Sequence, residues 1–189
     1  MKHLNILYGV NNAFAQHAAV SIQSLIANNR DLQLHIVVAA LNFSAGTEAR
    51  FLSLQTPQAS VKVMAFDPNK LAAMPEVPPY PKDIYLRLWV HEFFDPEDGN
   101  VLYVDADTVV VGSVMELADL DLGNNVLAAV DIPGADSHKY CHLPPEYNYF
   151  NSGVLLINNK VWHDEHCLQT VSDFLNANTA SCTMLIRMP

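Results

Sequence analysis

Short apolar runs alternate along the chain with stretches of helical period, a pattern that predicts parallel strands covered by helices. Leu4 to Val10 reads as the first strand. The next stretch sets Ala18, Ala19, Ile22, Leu25 and Ile26 on one helical face and stops at Asn28 and Asn29. Leu34 to Ala40 reads as a second strand, Ser44 to Leu54 as a helix with Ser44 as its N-cap, and Val61 to Phe66 as a third strand. These strands are apolar without alternation, which predicts burial on both faces. From Pro68 to Pro81 the prolines at 75, 78, 79 and 81 predict a loop. Asp83 to Phe94 reads as a helix ended by Asp95-Pro96 and Gly99. Val101 to Val104 then reads as a central strand, Val126 to Val130 as another closing on Asp131, Gly153 to Ile157 as a further one, and Val161 to Leu175 as a helix. The expected fold is α/β, a Rossmann-like, mostly parallel sheet with flanking helices in one domain over residues 1–189.

In open α/β sheets ligands bind at the carboxyl ends of the strands. The polar residues that finish strands here are Asn11, Asn12, Asp105, Asp107 and Asp131. Leu102-Tyr-Val-Asp-Ala-Asp107 stands out, because an apolar strand closing on two acids needs a cation or strong donors to meet them. In an extended strand, residues two apart point to one side, so Asp105 and Asp107 can share Mg or Mn, metals that take one or two carboxylates and fill their shell with phosphate and water. The blander alternative is that one acid caps a turn and the other faces water.

Composition narrows the partners. A net charge of -10 with only 10 Lys and Arg argues against nucleic acid, although a metal and one or two basic side chains could still hold a nucleotide. Cys141, Cys167 and Cys182 form no CxxC pair, which suits a reducing compartment, with cytoplasm as the default. Met1 to Val10 is too short and polar for a signal peptide, and no apolar run approaches a spanning helix, so membrane association is expected to be peripheral at most. His163 and His166 share a helical spacing, but a solvated helix face explains them better than zinc does.

Two enzyme classes place acids this way. Asp105-Ala-Asp-Thr-Val109 matches the local pattern of haloacid-dehalogenase-like phosphatases, whose motif normally lies on the first strand. About a hundred residues of α/β sequence precede it here. The wider chain instead resembles glycosyltransferase family 8, through Asn5-Ile-Leu-Tyr-Gly-Val-Asn-Asn12, Tyr85-Leu-Arg-Leu88, Val101-Leu-Tyr-Val-Asp-Ala-Asp-Thr108 and Tyr149-Phe-Asn-Ser-Gly-Val-Leu-Leu-Ile-Asn158. The resemblance implies a GT-A fold and retaining transfer of galactose or glucose from a UDP-hexose to a saccharide or lipooligosaccharide acceptor, in lipopolysaccharide or envelope polysaccharide synthesis at the inner membrane face. It further implies that Asp105 and Asp107 bind Mn or Mg, and that Val10, Asn11, Asn12, Arg87, Ala106 and Ser152 join them around the donor. Asp131, Asn151 and Gly153 would lie at the transferred sugar. For Arg87 the alternative is a surface ion pair with Glu92. For Asp131 the alternative is a turn acid before Pro133-Gly134, and Asn151 to Gly153 would serve turn formation alone. Where the family usually carries an acid to hold uracil or ribose, this chain has Asn11-Asn12.

The resemblance also predicts an Asp-Gln-Asp segment after the last helix, then a metal-binding His and a Lys-Pro-Trp motif, none of which the chain contains. Met184-Leu-Ile-Arg-Met-Pro189 is what Met-Pro-Asp-Gln-Asp-Ala-Leu codons would yield after loss of one C. The expectation is therefore a frameshifted, C-terminally truncated family member whose metal site is weakened and whose turnover is small or nil, with a non-catalytic nucleotide-binding remnant as the alternative beside the phosphatase.

Overall fold

The computed structural model describes residues 1–76, 80–133 and 148–178. Its strands are β1 (Lys2–Asn11), β2 (Leu32–Leu41), β3 (Ala59–Ala65), β4 (Asn100–Val104), β5 (Leu127–Asp131) and β6 (Phe150–Asn158). They form one six-stranded sheet in the order β3-β2-β1-β4-β6-β5. Strands β3, β2, β1 and β4 run parallel, whereas β6 is antiparallel to both β4 and β5. The helices are α1 (Ala15–Asn28), α2 (Ala45–Leu52), α3 (Met115–Asp119), α4 (Asn159–Asp164) and α5 (Cys167–Ala177).

Both faces of the sheet are buried, as the unbroken apolar runs predict. On one face Leu4, Ile6, Tyr8 and Val10 of β1 join Leu102 and Val104 of β4 beneath α1. On the other, Leu7, Val101, Tyr103, Leu155 and Ile157 pack with Val90, Phe94 and Trp162. Ser44 caps α2 as expected, accepting from the Thr47 amide at 3.1 Å. The buried face of α1 is Ala18, Ser21, Ile22, Leu25 and Ile26, so a serine lies where only apolar residues were expected.

Two helices depart from expectation. Lys82–Glu92 winds as a 3-10 helix, with Trp89 outside helical geometry. Apolar spacing over so short a span does not separate the two windings, since both return a side chain to one face after three or four residues. The expected single helix over Val161 to Leu175 is two, because His166 takes a left-handed conformation at φ 51° between α4 and α5. His163 and His166 therefore do not share a helix face. Cys167 is a free thiol, while Cys141, Cys182, Pro78, Pro79, Gly134 and the 184–189 terminus lie outside the described residues.

The 3-10 segment lies directly on β1. A Cβ placed on Gly9 would stand 2.7 Å from Leu86 Cβ, closer than two carbons can approach, so only glycine lets the segment seat here. Gly9→Ala should lower stability by about 1–3 kcal/mol in urea denaturation, as overpacked sites do. Gly46→Ala in α2 is the control, since its added carbon meets only Ser44 Oγ at 3.9 Å. It should be neutral or gain up to about 1 kcal/mol from helix propensity.

Candidate functional site

Parallel β1 and β4 end side by side, and antiparallel β6 starts at the same rim. Strand β5 also ends there, with Asp131 opposite Phe150 after a register shift at Ala129/Val130. The topology therefore brings Val10 to Asn12, Asp105 to Asp107 and Asp131 to one rim of the sheet at the ends of their strands, and the antiparallel course of β6 adds Asn151 to Gly153 there at the start of a strand, which their sequence position did not predict.

Strand β4 itself stops at Val104, and Ala106 and Asp107 form a turn. This corrects the expectation that an extended strand carries both carboxylates to one side. The Asp105 amide still pairs with the Gly153 carbonyl at 2.7 Å, but the Asp105 carbonyl accepts from Thr108 Oγ1 at 2.9 Å, which curls the chain. Asp105 consequently turns inward and Asp107 outward, while Ala106 is buried beneath them.

The Asp105 side chain is only 14% exposed, and two donors meet its Oδ1. The Tyr103 hydroxyl donates at 2.6 Å and Arg87 Nη2 at 3.0 Å. Arg87 is 11% exposed, and its Nη1 also donates to Ser152, to the carbonyl and, at 3.1 Å, to Oγ. Its Nε donates to the Ile84 carbonyl at 2.8 Å, and the guanidinium lies over the Tyr103 ring, 4.7 Å from the centroid. Arg87 pairs with Asp105 rather than with Glu92, which Lys70 holds at 2.6 Å. Burial pushes the Asp105 carboxyl above its ordinary value, Arg87 and the Tyr103 hydroxyl pull it down, and the nearby charge of Asp107 pushes it up again. Burial likewise drives the Tyr103 phenol well above its usual range, so it keeps the proton it donates.

Around this centre, Asn151 Oδ1 accepts from the Gly153 amide at 2.7 Å, fixing the start of β6. Asp131 is exposed and accepts from Asn148 Nδ2 at 3.0 Å. Asn11 donates to Asp83 and accepts from the Phe14 amide at 2.9 Å, and Asn12 Oδ1 accepts from Thr47 Oγ1 at 2.8 Å. An acid thus does stand beside Asn11, supplied by the 3-10 segment rather than by the β1 turn. Sequence reasoning missed Asp83, Tyr103, Ser21 and Thr108. Tyr103 carried a usable signal, since it precedes Asp105 by two residues at the end of an expected strand, and its hydroxyl does reach that carboxylate. An apolar groove of about 780 Å³ adjoins the rim at Arg87 and Ser152, walled by Leu88, Leu155, Trp162 and Phe174.

Among the described residues no three His, Cys, Asp or Glu side chains gather around one point. A hard cation takes one or two protein carboxylates and completes its shell from phosphate and water, and the exposed Asp107 has a carboxylate to offer it. One Asp105 oxygen, Oδ2, is left free of the two donors on Oδ1.

The family model for glycosyl transferase family 8 matches residues 5–187. The chain belongs to that family. Its model spans nearly the whole chain, which answers the choice between the two classes that the acid pair alone left open. The chain is 28% identical over 183 residues to a lipopolysaccharide 1,2-glucosyltransferase of Escherichia coli, covering 91% of this chain and 52% of that one. It is 29% identical over 178 residues to a lipopolysaccharide 1,3-galactosyltransferase of Salmonella typhimurium, covering 90% and 53%. The family 8 chain therefore spans about half the length of these curated relatives. The structure superposes on the galactosyltransferase LgtC, crystallised with donor and acceptor sugar analogues, with a TM-score of 0.84 at 24% identity, covering 94% of this chain and 66% of that one. The fold is GT-A, as expected.

Removing the Arg87 charge tests the balance at Asp105. A carboxyl whose folded pKa lies above its unfolded one stabilises the fold while protonated, and that contribution is lost as pH rises through the folded value. In Arg87→Met the carboxyl moves further up, so at about pH 3.5, below the folded value, the variant should lose only the guanidinium's contacts with Ser152, the Ile84 carbonyl and the Tyr103 ring. At pH 7 it should lose about 3 kcal/mol, as orphaned buried charges do. Adding Asp105→Asn should recover most of the pH 7 loss. Urea midpoints of the three proteins at the two pH values measure both effects.

Proposed function

We propose that this chain carries the donor site of a retaining hexosyltransferase that moves galactose or glucose from a UDP-sugar to a saccharide acceptor, in lipopolysaccharide or envelope polysaccharide synthesis. The observation that carries this reading is the acid turn at the centre of the sheet rim, with Asp105 held by a buried arginine and Asp107 facing out. Family membership and the activities of the two lipopolysaccharide transferases that the chain is similar to support the reaction class. Asp105 and Asp107 would hold Mn or Mg, whose chemistry when bound is Lewis-acid stabilisation of the leaving diphosphate.

The chain's own residues supply orientation. Arg87 favours the ionised form of Asp105 and holds it through Oδ1. Val10, Asn11 and Asn12, at the end of β1, would take the nucleoside side of the donor, with Asp83 offering a carboxylate beside Asn11. Ala106 and Ser152 would join the acids around the donor, Asn151 and Gly153 would lie at the transferred sugar, and Asp131 would accept from its hydroxyls. Retaining transfer passes through an oxocarbenium-like state, and the leaving phosphate can take the acceptor proton, so the chain need not supply a general base. No described helix is long and apolar enough to cross a membrane; by analogy with the lipopolysaccharide transferases, we place the reaction at the cytoplasmic membrane face.

Calorimetric titration of UDP into the protein, with and without Mn, tests this. Wild type should bind with a heat that depends on Mn, and Asp105→Asn and Asp107→Asn should each weaken it at least about tenfold, as loss of a coordinating carboxylate does. Equal heats in all three proteins would overturn the donor-site assignment. Release of labelled galactose against glucose from the two UDP-sugars then identifies the donor.

A further inference from the structure

The acid turn is also held from the opposite face of the sheet. Three buried or half-buried hydroxyls stand in line there: Tyr8 OH is 2.9 Å from Ser21 Oγ, Ser21 Oγ is 2.8 Å from Thr108 Oγ1, and Thr108 Oγ1 is 2.9 Å from the Asp105 carbonyl. Tyr8 and Ser21 are fully buried. A hydroxyl has one proton to give. The carbonyl can only accept, so Thr108 spends its proton there, Ser21 must give its own to Thr108, and Tyr8 must give its own to Ser21. All three contacts are hydrogen bonds at once in this direction alone. Burial pushes the Tyr8 phenol up to about 12, so the first proton of the chain is present at any ordinary pH.

The same edge of α1 continues the hold beyond the turn. Ser24 Oγ accepts from the Val110 amide at 2.9 Å, Asn28 Nδ2 donates to the Val110 carbonyl at 2.9 Å, and Asn29 Oδ1 accepts from the Val114 amide at 2.7 Å. Ser21, Ser24 and Asn28 recur at three and four residues, so they form a polar seam along one side of the helix. The segment 108–114 has no regular structure of its own, and these side chains satisfy its main chain instead.

We infer that Tyr8, Ser21 and Thr108 are positioning residues for the acid pair, a one-way hydroxyl chain that fixes the main chain of the turn while Arg87 and Tyr103 fix its inner carboxylate. The inference rests on the proposal that Asp105 and Asp107 hold the cation. None of the three hydroxyls need touch metal or donor.

The test uses the full chain and two readouts, amide hydrogen exchange of the 105–112 peptide without metal and Mn affinity by electron paramagnetic resonance. Thr108→Val should speed exchange in that peptide and weaken Mn binding, each by about fivefold to tenfold, the scale of one to two lost hydrogen bonds. Thr108→Ser should stay near wild type. Tyr8→Phe should give a smaller change of about twofold, because Ser21 keeps its donation to Thr108. Tyr8→Phe added to Thr108→Val should change the turn no further, since the chain is then already cut. A general loosening would appear in β3 peptides as well, and the Tyr8→Phe and Thr108→Ser pair then decides. Unchanged exchange and Mn affinity in Thr108→Val, or independent addition of the two effects, would overturn the inference. Mn affinity that survives Asp107→Asn would sink the donor-site proposal instead, while metal-free exchange still decides the role of the hydroxyls.

Discussion

A carboxylate with little access to water must be met by donors from within the protein, and Arg87 meets Asp105. Much of the rim is arranged around that contact. The guanidinium arrives from the 3-10 segment, reaches Asp105 after β4 and Ser152 in β6, and rests on Tyr103 between them. Its planar fork suits the task in a way that a lysine ammonium would not, because separate nitrogens serve separate acceptors in fixed directions. The seat of the 3-10 segment on Gly9 determines where that fork begins.

The turn is gripped from both faces of the sheet. The alternation of β4 sends Tyr103 to the side of the 3-10 segment, where Asp105 meets it just past the strand, and Leu102 and Val104 to the side of α1. Side-chain charge is settled on the first side and main-chain polarity on the second. Reversal of β6 adds the remaining groups, because a strand that runs against its neighbours presents its beginning where they present their ends. Asn151 to Gly153 thus reach the rim at the start of a strand.

The strands and the main helices were legible because each buries an apolar face long enough to show its period, and the acid pair was legible because it closes such a run. What could not be read was the direction of β6, since an apolar strand buried on both faces looks the same either way. The 3-10 winding of Lys82–Glu92 and the break at His166 were hidden for a similar reason, as neither changes which residues are apolar. The contacts of the site were less legible than its location. Arg87 to Asp105 could be entertained from the residue types, but its alternative with Glu92 could be dismissed only once Lys70 was seen to occupy that acid. Ser21 gave no sign of its role, because a serine among Ala18, Ile22 and Leu25 reads as an interruption of the apolar face. Its partners lie far off in the chain.

Those separations bear on how the molecule assembles. Strands β1, β2 and β3 join neighbours in sequence through α1 and α2, so their pairing closes only short loops. The rim does not. Arg87 meets Ser152 across 65 positions and Ser21 meets Thr108 across 87, so the first contact needs β6 in place beside β4 and the second needs the end of β4 in place beneath α1. The parallel docking of β4 is the non-local step that slows folding in such topologies. A nascent or partly folded chain can therefore own a complete N-terminal half-sheet and still have no binding edge at all.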